Sequence, residues 1–347
     1  MSAYMVEWMR GAMMDLAKAI QNCLTFGETA YGRQVLHVGM AGTADYIPRL
    51  GITAMSLMKY NPSLSFAFHF FVSALSEEEA RRLAVMSERM HCLVKVYIIR
   101  DDAFSDLVRG MYSASFWYRF IMPDIVGQET DRLLYLDGDM MCHGSIQKLK
   151  NLAFGGKLAA VVSDREEEKQ KKQIGTARFF NSGMMLINTK KWISMGMLEK
   201  VIQYAVEVRR FVNKKGRYKG WHYARYNDQN ILNKILDRQV IWLPKSYNYI
   251  YNLNRSAFFR RKERNEDYQK QRLLHFAGAV KPWHSWVQNW PVVREYRDIW
   301  LDSPWESVPL SFPSGRQSFH AAAREYKAEG QYVRAAYWYW IYLMSLV

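Results

Sequence analysis

Only three cysteines, Cys23, Cys92 and Cys142, occur in the 347 residues, far apart and with no C-x-x-C pair. So sparse and odd a set excludes a disulfide framework and a cysteine-based zinc site. It fits a reducing compartment. No hydrophobic run reaches the ~20 residues that a spanning helix needs. The opening segment carries Glu7, Arg10, Asp15 and Lys18 among its apolar positions, which is not the form of a secretory leader. A cytoplasmic protein is therefore expected. Acidic residues are in deficit: 33 Asp and Glu against 48 Lys and Arg leave a formal net charge of +15. That surplus predicts an anionic partner: nucleic acid, a phosphorylated glycolipid or an acidic membrane surface. Helix-turn-helix, zinc-finger and RNA-recognition signatures are also missing, so nucleic acid is not the expected partner.

Aromatic residues, by contrast, are plentiful, with 12 Trp, 22 Tyr and 17 Phe. They can fill a bulky core or line a cleft for sugar rings. Apolar periodicity predicts strands at Val35–Met40, Ser65–Val72 and Leu93–Ile99, alternating with helices at Ile47–Lys59 and Ser76–Met90. Asn61-Pro62 closes the first helix. Ser76, followed by Glu77, Glu78 and Glu79, reads as a helix start: a capping hydroxyl, a capping-box Glu and acids at the positive helix end. Further strands are expected at Arg132–Leu136, Leu158–Val162 and Met184–Ile187, and helices at Gly196–Val212 and Tyr226–Leu236. The alternation predicts an α/β fold, a single doubly wound, mostly parallel sheet. Ligands in such sheets sit beyond the carboxyl ends of the strands. Catalytic groups are therefore expected just after Met40, Ile99, Leu136 and Val162.

Chemistry concentrates at Leu133-Leu134-Tyr135-Leu136-Asp137-Gly138-Asp139. Two carboxylates flank one residue at the end of an apolar strand, where both can converge on one hard divalent cation. Such a cation would bridge a diphosphate and stabilise charge on a departing nucleotide. The run from His275 to Trp283 adds an imidazole that can complete the coordination, and Lys281, which can reach the same diphosphate. Gly278 permits close backbone approach there.

These elements occur in order with Phe180-Asn181-Ser182-Gly183-Met184-Met185-Leu186-Ile187-Asn188 and Asn227-Asp228-Gln229-Asn230-Ile231-Leu232-Asn233. Together they resemble glycosyltransferase family 8, and within it the lipopolysaccharide core glucosyl- and galactosyltransferases, over roughly residues 35–300. The resemblance implies a GT-A fold, a UDP-hexose donor, Mn²⁺ or Mg²⁺, a lipopolysaccharide core acceptor and retention at the anomeric carbon. It implies Asp137, Asp139 and His275 as metal ligands, with Gly278 and Lys281 on the diphosphate. Arg119 matches the family arginine near the donor sugar, and Asp131 and Arg132 are structural. Asn181, Asp228 and Gln229 would hold donor hydroxyls, with Gln229 near the anomeric carbon, and Asp164 would line the acceptor side. Gly138 lies between the metal carboxylates, against the donor. Thr43, Asp45 and Tyr46 occupy the uridine-binding turn, where the family has an acid, a variable residue, Asn and an aromatic. Thr43 replaces the acid and Asp45 the Asn. That departure leaves open an altered donor, or a non-catalytic member acting as a scaffold.

Residues 1–34 read as a peripheral helix and linker, 35–305 as the catalytic domain, and 306–347 as a helical, basic and aromatic extension for membrane association. Trp and Tyr near Arg316, Arg324, Lys327 and Arg334 suit the headgroup level of a bilayer. The expected location is peripheral, on the inner face of the cytoplasmic membrane. Basic stretches at Arg209–Lys219 and Arg255–Arg264 would suit a phosphorylated core oligosaccharide.

Overall fold

The computed structural model describes residues 19–29, 35–104, 115–205, 228–253, 268–288 and 290–346. The two basic stretches lie outside these residues, as do most of the expected N-terminal helix and the second half of the helix expected at Gly196–Val212.

The backbone of the fold is an eight-stranded sheet of order β1-β4-β3-β2-β5-β8-β7-β9. Its strands are β1 (Ile20–Phe26), β2 (Val35–Gly42), β3 (Ser65–Val72), β4 (Leu93–Ile99), β5 (Arg132–Leu136), β7 (Ala159–Ser163), β8 (Phe180–Asn188) and β9 (Val240–Leu243). Strands β4, β3, β2 and β5 run parallel. Every residue of β3 is buried, as expected of a central strand covered on both faces. One face packs Val38, Met40, Phe66, Phe68, Phe70, Val94 and Val96, beneath helices α1 (Ile47–Tyr60) and α2 (Glu77–Met90). The other packs Phe71, Tyr97, Leu133, Tyr135 and Ile187 beneath α3 (Ser115–Val126).

Three features depart from the sequence reading. Residues 20–26, assigned to a peripheral helix and linker, form an edge strand antiparallel to β4. Ile20, Leu24 and Phe26 are half-buried there, and an exposed partner face hides the period-2 signal. Strand β8 is antiparallel to both β5 and β7, so its first residues arrive at the carboxyl ends of the parallel strands. Thirdly, a second, three-stranded sheet of order β10-β11-β6 forms from β6 (Met140–Cys142), β10 (Tyr249–Ile250) and β11 (Leu273–His275). These strands are too short to be read by periodicity.

Ser76 caps α2 by accepting from the Glu79 N–H at 3.2 Å, yet the capping box does not close. Glu79 instead accepts from Trp305 Nε1 at 2.6 Å and pairs with Arg82 at 2.7 Å. Trp305 packs on α1 at Gly51, where a Cβ would meet its ring at 2.2 Å. The helix around Gln229 spans α4 (Asp228–Ile235), and the C-terminal part consists of α5 (Pro291–Leu301), α6 (Arg316–Ala328) and α7 (Tyr332–Met344). Helix α6 docks through buried Ala322, Ala323 and Tyr326, and its buried Glu325 accepts from Trp290 Nε1 at 3.3 Å. Among the described residues no helix is long and apolar enough to cross a membrane.

On α3, Asp124 accepts from Trp192 Nε1 at 3.1 Å. Burial, helped by the nearby Glu199, pushes its carboxyl up to about 6. The folded carboxyl therefore holds its proton more tightly than the unfolded one, and stability falls as pH rises from about 4 towards 6. Asp124→Asn keeps an acceptor for the indole and removes the charge. Urea unfolding should show the variant gaining on wild type across that window, by at most about 3 kcal/mol at neutral pH. Parallel pH profiles would refute a strained carboxylate.

Candidate functional site

The apolar strand β5 delivers Asp137 and Asp139 to the carboxyl end of the sheet. Burial of Leu133, Leu134, Tyr135 and Leu136 fixes the strand, so the acids that follow have little freedom of position. Gly138 between them is required by space: a Cβ would lie 2.5 Å from Leu50 Cδ2 and 3.0 Å from the Tyr46 ring. On the other side β11 brings in His275, paired with Met140 just beyond Asp139. The ligand atoms of Asp137, Asp139 and His275 all lie within 4.8 Å of one another. His275 Nε2 is 3.2 Å from Asp139 Oδ1 and 3.9 Å from Asp137 Oδ2.

His275 is oriented from behind. Its Nδ1 lies 3.0 Å from Asn248 Oδ1, and Asn248 Nδ2 donates to Asn181 Oδ1 at 2.8 Å. The amide oxygen can only accept, so Nδ1 carries a proton, and Nε2 faces the carboxylates, where it donates to Asp139 when protonated and offers a lone pair when it is not. Gly183 gives the ring its place: a Cβ there would sit 2.4 Å from His275 Cε1. Asn248 escaped the sequence reading. Its signal is the run Leu243-Pro244-Lys245-Ser246-Tyr247-Asn248 after a short strand, which carries no charge or metal ligand at its end.

Cations flank the acids. Lys281 Nζ donates to Asp139 Oδ2 at 2.5 Å and to the Phe276 carbonyl at 2.8 Å. Arg119, from α3, donates to Asp137 Oδ1 at 3.1 Å, forms an ion pair with Asp228, and stacks 4.8 Å from the centre of the Tyr135 ring. Tyr135 OH donates to Asp137 Oδ1 at 2.6 Å. Burial alone would raise the Asp139 carboxyl, but His275 and Lys281 hold it well below the usual range. Burial likewise opposes charge on His275, and Asp139 overcomes it, lifting the imidazole above its ordinary value. The Asp228 carboxyl is pushed up by burial against the pull of Arg119, with Asp137 adding to the rise.

Beside this cluster lies a second, hydrogen-bonded one. Asp164 Oδ2 accepts from Asn181 Nδ2 and from Gln229 Nε2, both at 3.2 Å. Gln229 Oε1 in turn accepts from the Ser182 N–H at 3.1 Å. The register shift between Val161 and Val162 against β8 places Asp164 next to Asn181. At the end of β2, Thr43 donates to Asp45 Oδ1 at 2.5 Å. Tyr46 meets Trp283 edge-on, with ring centres 5.7 Å apart. Gly278 adopts φ +109°, a conformation that favours glycine, in the turn between His275 and Lys281. The two clusters thus unite Asp137, Asp139, His275, Lys281, Arg119, Asp228, Gln229, Asn181 and Asp164, with Tyr46 and Gly138 forming one wall. Of the segment after Ile99, the described residues 100–104 supply none of these contacts, and residues 105–114 lie outside the described residues. Asp131 and Arg132 lie at the far end of β5, where Arg132 donates to the Leu149 and Leu152 carbonyls, both at 2.8 Å.

The family model described as "Glycosyl transferase family 8" matches residues 37–287. A "Lipopolysaccharide 1,2-glucosyltransferase" of Escherichia coli K12 is 28% identical over 285 residues, 79% of this chain and 80% of the relative. A "Lipopolysaccharide 1,3-galactosyltransferase" of Salmonella typhimurium is 28% identical over 306 residues, 84% of this chain and 86% of the relative. Among solved structures, the galactosyltransferase LgtC in complex with donor and acceptor sugar analogues superposes with a TM-score of 0.61 at 20% identity, covering 77% of this chain and 96% of that one. That likeness makes the fold GT-A. With its motifs gathered at the carboxyl end of this sheet and the family model spanning 37–287, the chain belongs to glycosyl transferase family 8.

Proposed function

We propose that the protein transfers glucose or galactose from a UDP-sugar to lipopolysaccharide core oligosaccharide, retaining the anomeric configuration and using Mn²⁺ or Mg²⁺. The observation that carries this reading is the convergence of Asp137, Asp139 and the inward Nε2 of His275 within 4.8 Å. Two carboxylates and one imidazole suit a divalent cation, and Gly138 and Gly183 leave room beside them. When bound, the cation supplies positive charge against the leaving diphosphate. The sugar and acceptor class rest on the relatives named for lipopolysaccharide glucosyl and galactosyl transfer.

The side chains have distinct tasks in this reading. Lys281 exchanges Asp139 for a phosphate oxygen as the donor enters, and the Phe276 carbonyl holds its ammonium in reach. Gln229, Asn181 and Asp164 form a hydrogen-bonded set that orients sugar hydroxyls. Asp228 is committed to Arg119, and an ion-paired carboxylate is a poor nucleophile. Same-face attack follows: the acceptor oxygen bonds to the anomeric carbon, the bond to the phosphate breaks, and the acceptor's proton passes to the leaving phosphate oxygen. The Thr43–Asp45 pair and Tyr46 stand where the uridine would lie, so nucleotide choice rests on them.

The C-terminal hairpin suits a membrane-surface role at the inner leaflet. Val333, Tyr337, Trp340 and Met344 follow helical spacing along α7 and are more than half exposed. Exposed Arg316, Arg324, Lys327 and Arg334 flank them. Trp and Tyr beside cations match the headgroup region of an anionic bilayer.

UDP release from UDP-glucose and UDP-galactose, with Mn²⁺ or EDTA, tests the donor chemistry. Asp139→Ala should lose about a thousandfold, roughly 4 kcal/mol of barrier, and EDTA should silence the wild type. Full activity in EDTA would overturn the metal reading. Asn248→Ala should raise the Mn²⁺ concentration needed for half activity about 10–100-fold, and an unchanged Mn²⁺ dependence would deny Asn248 its positioning role. In sedimentation with phosphatidylglycerol vesicles, Trp340→Glu with Leu343→Glu should release the protein while leaving UDP release intact. Retained binding would remove the membrane role of α7.

A further inference from the structure

On the sheet face beneath α3, a polar group sits where hydrophobic residues are the rule. His37 on β2 and His69 on β3 have Nδ1 and Nε2 3.0 Å apart. His69 is fully buried, and its Nδ1 lies 3.2 Å from Tyr97 OH on β4. Glu129, in the turn after α3, brings its carboxylate to the same place: ligand atoms of His37, His69 and Glu129 all lie within 4.8 Å of one another. None of these residues belongs to the cluster around Asp137. His37 pairs with Leu133, four residues before Asp137, which separates the two groups by roughly 13 Å along the strand.

We propose that His37, His69 and Glu129 form a second metal site, selective for a divalent transition ion of the zinc class. Tetrahedral zinc with bonds near 2.0–2.1 Å needs ligand atoms roughly 3.4 Å apart, so small side-chain movements close the site. The ligand types favour zinc, cobalt or nickel over magnesium, because imidazole suits borderline ions. Tyr97 fixes the tautomer: with its hydroxyl accepting from Nδ1–H, His69 turns the Nε2 lone pair towards His37. The ion replaces the proton shared between the two imidazoles. His37 loses its Nδ1 proton and takes one at Nε2, so each ring binds as a neutral ligand.

Protons compete weakly for these rings. Burial, with His37 and Lys95 adding, pulls His69 down to about 3. Burial also lowers His37, with Lys95 adding to the fall and Glu129 opposing it. Lys95 donates to Glu129 Oε1 at 2.8 Å, and the Tyr97 hydroxyl also hydrogen-bonds to this carboxylate, so a bound ion would share Glu129 with both. Of the three, Glu129 is the exposed member. Glu129 lines a polar cavity of about 600 Å³ at the amino ends of β2 and β5, together with Val35, Gln128 and Arg132. A bound ion would tie the turn after α3 to β2 and β3, a clamp on the helix that carries Arg119.

The test is zinc and cobalt titration of the full, chelator-treated chain in excess Mg²⁺, followed by calorimetry, visible Co²⁺ absorption and the thermal midpoint. Wild type and Asp139→Asn should each bind one zinc with the spectrum of low-coordinate cobalt and a raised midpoint. Glu129→Gln, at an exposed position that leaves the core intact, and His37→Gln should weaken that binding at least tenfold, and Tyr97→Phe about tenfold. Zinc binding lost in Asp139→Asn but unchanged in Glu129→Gln and His37→Gln would overturn the proposal, as would no zinc uptake by wild type.

Discussion

Two carboxylates one residue apart, at the end of a strand buried on both faces, impose the strongest constraint on this molecule. Asp137 and Asp139 cannot both be ionised in a low-dielectric setting without nearby positive charge or donors. Each neighbour that meets this need comes from a different part of the chain. Arg119 arrives on α3, Tyr135 from β5 itself, His275 on β11 and Lys281 on the turn after it. The small sheet is best understood in these terms. It pairs β6, which leaves the acids, with β11, which carries the imidazole, so one short ladder sets the distance between the metal-ligand types.

Space is rationed around the same acids. Gly138, in the turn between β5 and β6, and Gly183, on β8, both border the site, and at each a methyl group would strike a residue that shapes it: Tyr46 and Leu50 in one case, His275 in the other. The antiparallel β8 matters here. Because it enters from the carboxyl end of the sheet, its opening residues, and not its last ones, face the site. Asn181, Ser182 and Gly183 thereby join a cleft that a wholly parallel sheet would have built from strand ends alone.

Much of this was legible in the residues. Long apolar runs such as Ser65–Val72 and the capped Ser76–Met90 announce their structures, because burial on both faces and a helix start each leave a local mark. The acids after Leu136 and the His275–Trp283 run were legible through residue type and placement. What escaped has physical reasons. Strands of two or three residues, such as Tyr249–Ile250 and Met140–Cys142, are held by their partners and carry no period. The direction of β8 is a tertiary property, invisible in its alternation. Asn248 is neutral and lies far from any acid in sequence, so nothing local marks it as the residue that sets the tautomer of His275. Glu79 shows the opposite failure: its spacing matched a local motif, and a distant indole, Trp305, claimed its carboxylate.

The resting partners of the acids also explain how such a site stays folded while it waits for its substrates. Lys281 and Arg119 pair with Asp139 and Asp137 directly, so the carboxylates are already fixed in direction. Preorganised charge of this kind costs no rearrangement at the moment of reaction. In the proposed reaction, a cation taking the Asp139 oxygen that faces His275 would loosen Lys281 from the other oxygen and favour an exchange of its partner. A phosphate oxygen is the natural new partner for that ammonium, and the Phe276 carbonyl, 2.8 Å from Nζ, keeps it close during the exchange. In the proposed reaction, metal and diphosphate would therefore favour each other's binding: each would relieve the charge that the other leaves unpaired.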